Sequence, residues 1–183
     1  MKTFEIVKKI AITAAVVVPA ALALASGAQA SPVDQPFSVS LGANYLTDSS
    51  TRSSTSDYGL HVGLGYTIPG VGITSGTPSI DFDYDYNSGH GDTANTYGLF
   101  LADRYTLSHA AGASFSPYIG AGIGAAYLDG TGNGPSFSAT NFAGKVMLGA
   151  NFNRAFVEVA YNITGEDHGF DFSTVNLSVG THF

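Results

Sequence analysis

The chain of 183 residues contains no cysteine, which removes a disulfide framework, a thiolate metal site and a cysteine nucleophile from consideration. Charge is scarce as well. Asp, Glu, Lys and Arg make up 11% of the residues, where a soluble domain carries about a quarter, so the first question is what solvent this surface meets. Basic residues are the scarcest: seven stand against fourteen acidic ones, and a net charge of -7 gives a nucleic-acid partner no electrostatic support. The shortage of charge is not disorder, because 44% of the chain is hydrophobic and 12% aromatic.

After residue 30 no apolar run is long enough for a helical membrane span. Before it, Lys2, Lys8 and Lys9 precede an apolar run from Ile10 to Leu24, and Ala28, Gln29 and Ala30 place small residues where a signal peptidase reads. Residues 1–30 therefore read as a secretory signal cleaved after Ala30, with residues 31–183 as one domain. A membrane-spanning helix is the competing reading, but the run is shorter than the roughly 20 apolar residues that a span needs. The remaining 153 residues carry 4 basic and 13 acidic groups, net -9.

Beyond the signal the chain alternates. Apolar residues recur at every second position, the period of a strand with two unlike faces, and helical spacing is absent. Eight such sets occur. They begin with Phe37, Val39, Leu41, Ala43 and Tyr45; then Tyr58, Leu60, Val62, Leu64, Tyr66 and Ile68; then Ile80, Phe82, Tyr84 and Tyr86; then Tyr97, Leu99, Leu101, Tyr105 and Leu107. The second half repeats the pattern with Phe115, Ile119, Ala121, Ile123, Ala125 and Tyr127; Phe142, Val146, Leu148, Ala150 and Phe152; Val157, Val159, Tyr161 and Ile163; and Val175, Leu177, Val179, Thr181 and Phe183. Segments rich in Ser, Thr, Gly and Asp at 47–55, 87–94, 129–138 and 164–171 read as four loops on one end. Segments 69–78 and 108–114 and a two-residue turn at Asn153 and Arg154 make the other end, so successive strands are antiparallel neighbours.

Two closed architectures fit, a soluble barrel that buries the apolar set and a membrane barrel that turns it toward lipid. The aromatics decide between them. Tyr45, Tyr58, Tyr86, Tyr97, Tyr127, Phe142 and Tyr161 mark the loop-rich end, and Phe37, Tyr66, Tyr105, Phe115, Phe152 and Phe183 the other, with aliphatic residues between. That is the double girdle of two lipid interfaces, and a soluble core has no reason to sort rings by height. The opposite face reads as small and polar (Ser38, Ser40, Gly42, Asn44, Gly63, Gly65, Gly122, Gly124), as a narrow lumen requires.

The expected fold is thus all-β, an eight-stranded antiparallel up-and-down transmembrane β-barrel. The run Pro117-Tyr118-Ile119-Gly120-Ala121-Gly122-Ile123-Gly124 resembles the Pro-Tyr-x-Gly-x-Gly-x-Gly stretch of the small outer-membrane barrels typified by the transmembrane domain of outer membrane protein A and by outer membrane protein X. Val175, Leu177, Val179 and the terminal Phe183 are similar to the signal by which barrel-assembly machinery recognises such proteins. The resemblance implies an outer-membrane location in a Gram-negative envelope, with the turn end in the periplasm. It implies no single function, because the family mixes structural proteins, adhesins, small-molecule conduits and lipid-modifying enzymes.

Parity then assigns the charges. His61, Asp81, Asp83, Asp85, Arg104, Lys145, Glu158 and His182 fall on the lumen face, and a one-residue slip would put three aspartates into hydrocarbon. A structural charge network is the favoured reading. A cation or proton relay along Asp81, Asp83 and Asp85 is the sharper one, opposed by the roughly 7 Å between side chains two residues apart on a strand. Asp103 breaks the pattern on the lipid face and reads either as interfacial or as the mark of a bulge. Pro117 faces outward near a strand start, where a missing N–H is tolerated.

No catalytic residue is singled out and no enzyme activity is expected. Ser108 and His109 are adjacent in a turn, where neighbouring side chains diverge, and His90 and His168 beside Asp92 and Asp167 are ordinary polar-loop pairs. No cofactor and no metal site is implied. The loops are acidic, with Asp48, Asp92, Asp129, Glu166 and Asp167 against Arg52, and Phe137 and Phe170 are their candidate contact residues. The expected partners are outer-membrane lipid and lipopolysaccharide, the latter through divalent cations, together with the assembly machinery and an unspecified surface ligand. A monomer is expected. The expected role is structural or surface-interacting, with a narrow conduit for small or hydrophobic solutes and a lipid-modifying enzyme as alternatives. A wide porin is excluded, since an open aqueous channel needs about 16 strands.

Overall fold

A computed structural model describes residues 35–69, 76–107, 115–132, 136–167 and 170–183. The expected signal at 1–30, the Ser108–His109 pair and His168 lie outside the described residues. Eight strands close into one antiparallel barrel: β1 (Phe37–Leu46), β2 (Tyr58–Thr67), β3 (Thr77–Gly89), β4 (Asp92–Thr106), β5 (Phe115–Thr131), β6 (Phe137–Phe152), β7 (Ala155–Ile163) and β10 (Thr174–His182). Two short strands, β8 (Glu166–Asp167) and β9 (Phe170–Asp171), lie outside the barrel wall. Each barrel strand pairs with its neighbour in sequence, and β10 closes the ring on β1, so no barrel strand has a free long edge through the membrane-height region. Among the described residues no helix is long and apolar enough to cross a membrane; the strands are the crossing elements.

The alternating apolar set faces outward. Leu99, Leu101, Ile123 and Leu148 are each more than half exposed, whereas Asp81, Asp83, Asp85 and Lys145 are buried inside. Both aromatic levels contain rings that meet across neighbouring strands. At the loop end Tyr45 packs on Tyr58 at 5.3 Å between ring centroids, and Tyr84, Tyr97 and Tyr127 form a ladder at 5.0 and 6.0 Å across three strands. At the turn end Phe37 meets Tyr66 at 5.1 Å and Phe183 at 6.1 Å, and Phe115 meets Phe152 at 5.2 Å. Tyr97 and Tyr105 bracket the band on β4. Eight residues of strand span roughly 26 Å along the chain, and a tilt of about 40° reduces this to roughly 20 Å, close to the apolar height of an outer-membrane barrel.

The loops differ from the sequence expectation. Composition marked 87–94 as a loop, but β3 and β4 stay paired up to Gly89 and Asp92, leaving only His90 and Gly91, whose positive φ values of 54° and 92° suit a tight hairpin turn. Likewise β5 runs to Thr131 and β6 begins at Phe137. Cross-strand pairing overrides the turn preference of Ser, Gly and Asn here. Strands β3 to β6, of 13 to 17 residues, therefore rise above β1, β2, β7 and β10, of 9 or 10. Because β7 pairs β6 only from Gly144 onward, residues 137–143 of β6 are bonded by β5 and, among the described residues, by no strand on the other side.

The other two loops are structured too. Segment 47–55 contains a short helix, α1 (Ser49–Ser54), whose first turn is capped when the Thr51 N–H donates to the Asp48 carboxylate at 2.8 Å. Segment 164–171 holds the ribbon that β8 forms with β9. The two are tied together, since Thr47 N–H donates to the Ser173 carbonyl at 2.9 Å and Thr51 Oγ1 to the Asp171 carbonyl at 3.0 Å. At the opposite end Asn153, with φ of 57°, turns the β6–β7 hairpin. Asp103 sits in unbroken register between Pro78 and Ala121, so there is no bulge; it faces outward at the turn end, close against Gly76.

Candidate functional site

Inside the barrel the side chains form layers. The middle layer is charged. Arg104 Nη2 is 2.8 Å from Asp81 Oδ2 and 3.2 Å from Glu158 Oε2, and Lys145 Nζ is 3.0 Å from Asp83, 3.5 Å from Asp81 and 3.8 Å from Glu158. Each carboxylate has further donors: Ser79 Oγ to Asp81 at 2.9 Å, Asn162 Nδ2 to Asp83 at 3.0 Å and Tyr118 OH to Glu158 at 2.8 Å. Side chains from β3 to β7 thus meet at two cations. Lys145 is 4% exposed and without these anions would be a costly buried charge.

Next to this layer, toward the loop end, His61 Nδ1 pairs with Asp85 Oδ1 at 2.7 Å, and the second oxygen of Asp85 accepts from Thr174 Oγ1 at 3.1 Å and Asn176 Nδ2 at 3.4 Å. Above it the lumen turns apolar. Phe100, Ala94, Ala126, Leu128, Ala143 and Phe172 form one buried cluster, with Phe137 packed against it. Lys145 Nζ lies 5.7 Å from the Phe100 ring centre, so the plug rests directly on the charge layer. A second apolar cluster, Ala102, Tyr118, Met147 and Ala160, fills space beside Arg104. Toward the turn end the lumen opens into a cavity of about 60 Å³, lined in part by Ser38, Gly65, Asp81, Arg104, Asn151 and His182.

A filled, charge-paired lumen inside an apolar belt with two aromatic levels has one environment that satisfies both faces, a lipid bilayer. Residues 16–183 match the family described as Outer membrane protein beta-barrel domain. The chain belongs to that family. Its fold is similar to solved outer-membrane barrels. Neisserial surface protein A aligns with a TM-score of 0.55 and 15% identity over 80% of this chain and 97% of that one. Ail, the attachment invasion locus protein of Yersinia pestis, aligns at 0.49 and 14% over 81% and 99%, and the outer membrane enzyme PagL at 0.45 and 19% over 80% and 98%. Likeness at these identities establishes the fold alone. No curated protein sequence matches this one.

Of the eight residues assigned to the lumen from the sequence of this outer-membrane barrel, His61, Asp81, Asp83, Asp85, Arg104, Lys145 and Glu158 meet in the charge layers and His182 lines the turn-end cavity. The aspartate row divides among partners: Asp81 goes to Arg104 and Lys145, Asp83 to Lys145 and Asn162, and Asp85 to His61. Val175 and Leu177 have outward parity on the closing strand, Val179 shares that parity but is 8% exposed, and Phe183 follows the strand's last residue and stacks on Phe37.

One expectation needs correction. The lumen is not uniformly small and polar, because Phe100, Tyr118, Leu128, Met147 and Phe156 point inward; their parity marks them in the sequence, but as isolated large residues among Gly and Ala they form no periodic signal. Phe137, half-buried, packs on Phe172 at 5.5 Å. In the loops, His90 Nδ1 is held by the Thr55 carbonyl at 2.6 Å. Arg52 folds back to donate to the carbonyls of Leu46 and Thr47 at 2.9 and 2.6 Å.

Proposed function

We propose that this outer-membrane barrel is a non-enzymatic structural or surface-interaction protein. The carrying observation is the doubly blocked lumen: the ion-pair layer is capped by the plug around Phe100, Leu128 and Phe172, and at the loop end Leu46 of β1 and Thr51 of α1 are buried as well. A conduit needs a path past both layers, and the turn-end cavity lies below them.

Three features support an outward-directed role. Strands β3 to β6 stand above the rest, their short edge at residues 137–143 carries no charge or proline to discourage strand addition, and Phe142 in that segment is 76% exposed. Asp48, Asp92, Asp129 and Glu166 lie at the loop end, while Arg52 pairs with Asp57 at 3.7 Å and donates to the backbone, so this rim suits divalent cations shared with lipopolysaccharide. The pattern ending in Phe183 suits the assembly machinery, and residues 1–30 suit export with cleavage after Ala30. A monomer accounts for the closed sheet.

The experiment is conductance of the purified barrel in planar bilayers, together with surface attachment of cells carrying loop-exchanged variants. No steady conductance and attachment that follows the loops are expected. Steady conductance by the wild-type barrel would overturn the reading in favour of a conduit. Lipopolysaccharide binding indifferent to chelation would remove the cation-bridged contact.

A further inference from the structure

After position 30 the sequence holds four basic residues. Arg104 and Lys145 are in the lumen and Arg154 is in the β6–β7 turn, so Arg52 is the one Lys or Arg that the sequence places at the loop end. It is also held still. Its Nη1 donates to the Leu46 and Thr47 carbonyls at 2.9 and 2.6 Å, where β1 leaves the sheet, and its guanidinium carbon lies 5.0 Å from the centre of the Tyr45 ring. Nε faces Asp57 at 3.7 Å. The Nη2 edge makes no hydrogen bond among the described residues, and 22% of the side chain is exposed.

Height decides what that edge meets. Tyr45 packs on Tyr58 at 5.3 Å, and both belong to the loop-end ring level, where amphipathic rings sit among lipid headgroups. A guanidinium stacked on such a ring stands at the same depth. The Tyr58 hydroxyl is a second, independent sign of a polar partner, for it is covered and among the described residues bonds nothing. A buried hydroxyl without an acceptor is costly. Tyr45 therefore touches both a guanidinium with a free edge and a phenol with no acceptor.

We infer that Arg52 binds a phosphate group of a lipopolysaccharide headgroup in the outer leaflet, through its Nη2 edge and with the Tyr58 hydroxyl as a further donor. Arginine suits this role, since its planar fork directs donors at phosphate oxygens and sheds water readily. Two carbonyls and a ring pin the side chain, which lowers the ordering entropy that binding costs, and they leave its charge unspent. Asp57, half-exposed and 3.7 Å away, offsets little of that charge. Phosphate free in solution is a poorer match. Asp48, Asp92, Asp129 and Glu166 at the same end repel it, whereas a lipid phosphate arrives laterally with its acyl chains held along the apolar belt. The inference rests on the lipopolysaccharide contact proposed above, and adds to cation bridging a direct contact that a chelator leaves intact.

The test is calorimetric titration of the purified barrel in maltoside micelles, which contain no phosphate, with lipid A in the presence of EDTA. Diphosphorylated lipid A should bind at one site per barrel, and lipid A stripped of its phosphates about 10- to 100-fold more weakly. Arg52→Gln should weaken the phosphorylated form by the same factor and leave the stripped form unchanged, a selectivity that a mere strap on α1 would not show. Arg52→Lys and Tyr58→Phe should each give a smaller loss. If Arg52→Gln fails to refold, as judged by heat-modifiable gel mobility, the comparison of the two lipids on the wild-type barrel and on Tyr58→Phe carries the test. Equal binding of the two lipids, or of phosphorylated lipid A to wild type and Arg52→Gln, would overturn the inference. Competition by inorganic phosphate at equal concentration would assign the site to a free anion and overturn the lipid source. Complete loss of binding in EDTA would overturn the direct contact and leave the cation bridge standing; binding that ignores EDTA but needs Arg52 and the phosphates would remove the bridge and uphold the inference.

Discussion

The sharpest quantitative test of the lumen is Lys145→Met, which keeps the length and apolar stem of the side chain and removes only the charge. At an effective dielectric constant of about 20, a contact at 3.0 Å such as Lys145 to Asp83 is worth about 5 to 6 kcal/mol, and those at 3.5 and 3.8 Å to Asp81 and Glu158 somewhat less. Desolvation of Lys145 and repulsion from Arg104 offset most of this. What remains observable is the cost of stranding buried carboxylates, about 3 to 5 kcal/mol. The assay is urea unfolding of the barrel refolded into phospholipid vesicles, followed by far-ultraviolet circular dichroism and gel mobility. Asp83→Asn completes a double-mutant cycle. The double variant should be less destabilised than the two single losses together, with a coupling of about 0.5 to 3 kcal/mol. A loss below about 1 kcal/mol for Lys145→Met, or strict additivity, would refute the claim that this lysine holds the layer together.

Phe100→Ala should cost about 3 to 5 kcal/mol in the same assay, because the ring is buried at the centre of the plug; a near-neutral result would mean the plug does not pack. Leu101→Arg, on the outward face at mid-height, should cost about 2 to 4 kcal/mol in vesicles, whereas Thr131→Arg beyond the loop-end ring level should cost about 0 to 1; the reverse order would reject the placement of the lipid belt. Hydrogen bonds from Ser50 and Thr51 hold the Asp48 carboxyl below its ordinary pKa. Its contribution to α1 is therefore present above about pH 4, the unfolded value, and lost as pH falls through the lower folded value. Asp48→Ala should speed amide exchange at Thr51 by roughly fivefold at neutral pH, the equivalent of about 1 kcal/mol of capping, and should make no difference once the wild-type carboxyl is protonated.

Strand ends were the least legible part of the sequence. Ser88, Gly89, Thr93 and Gly130 have turn-forming composition, yet they continue β3, β4 and β5, because a neighbour already in register supplies hydrogen bonds to backbone that would otherwise turn. The helix over Ser49–Ser54 was hidden for a related reason. Six residues of Ser, Thr and Arg carry no amphipathic period, and the helix depends on the Asp48 cap and on Thr51 reaching Asp171, a residue 120 positions away.

The sequence by itself determined the number of barrel strands, their antiparallel order, the lipid face and the inward parity of every lumen charge. A two-residue period admits only two assignments, and three aspartates at 81, 83 and 85 forbid one of them. Only the tertiary structure decided which charge meets which. Lys145 and Asp83 lie 62 residues apart, and their contact follows from the register of every strand pair between β3 and β6 and from the tilt that closure imposes. The same closure brought His61, Asp83 and Ser40 around the missing side chain of Gly63, a convergence of three strands that no spacing within one strand encodes.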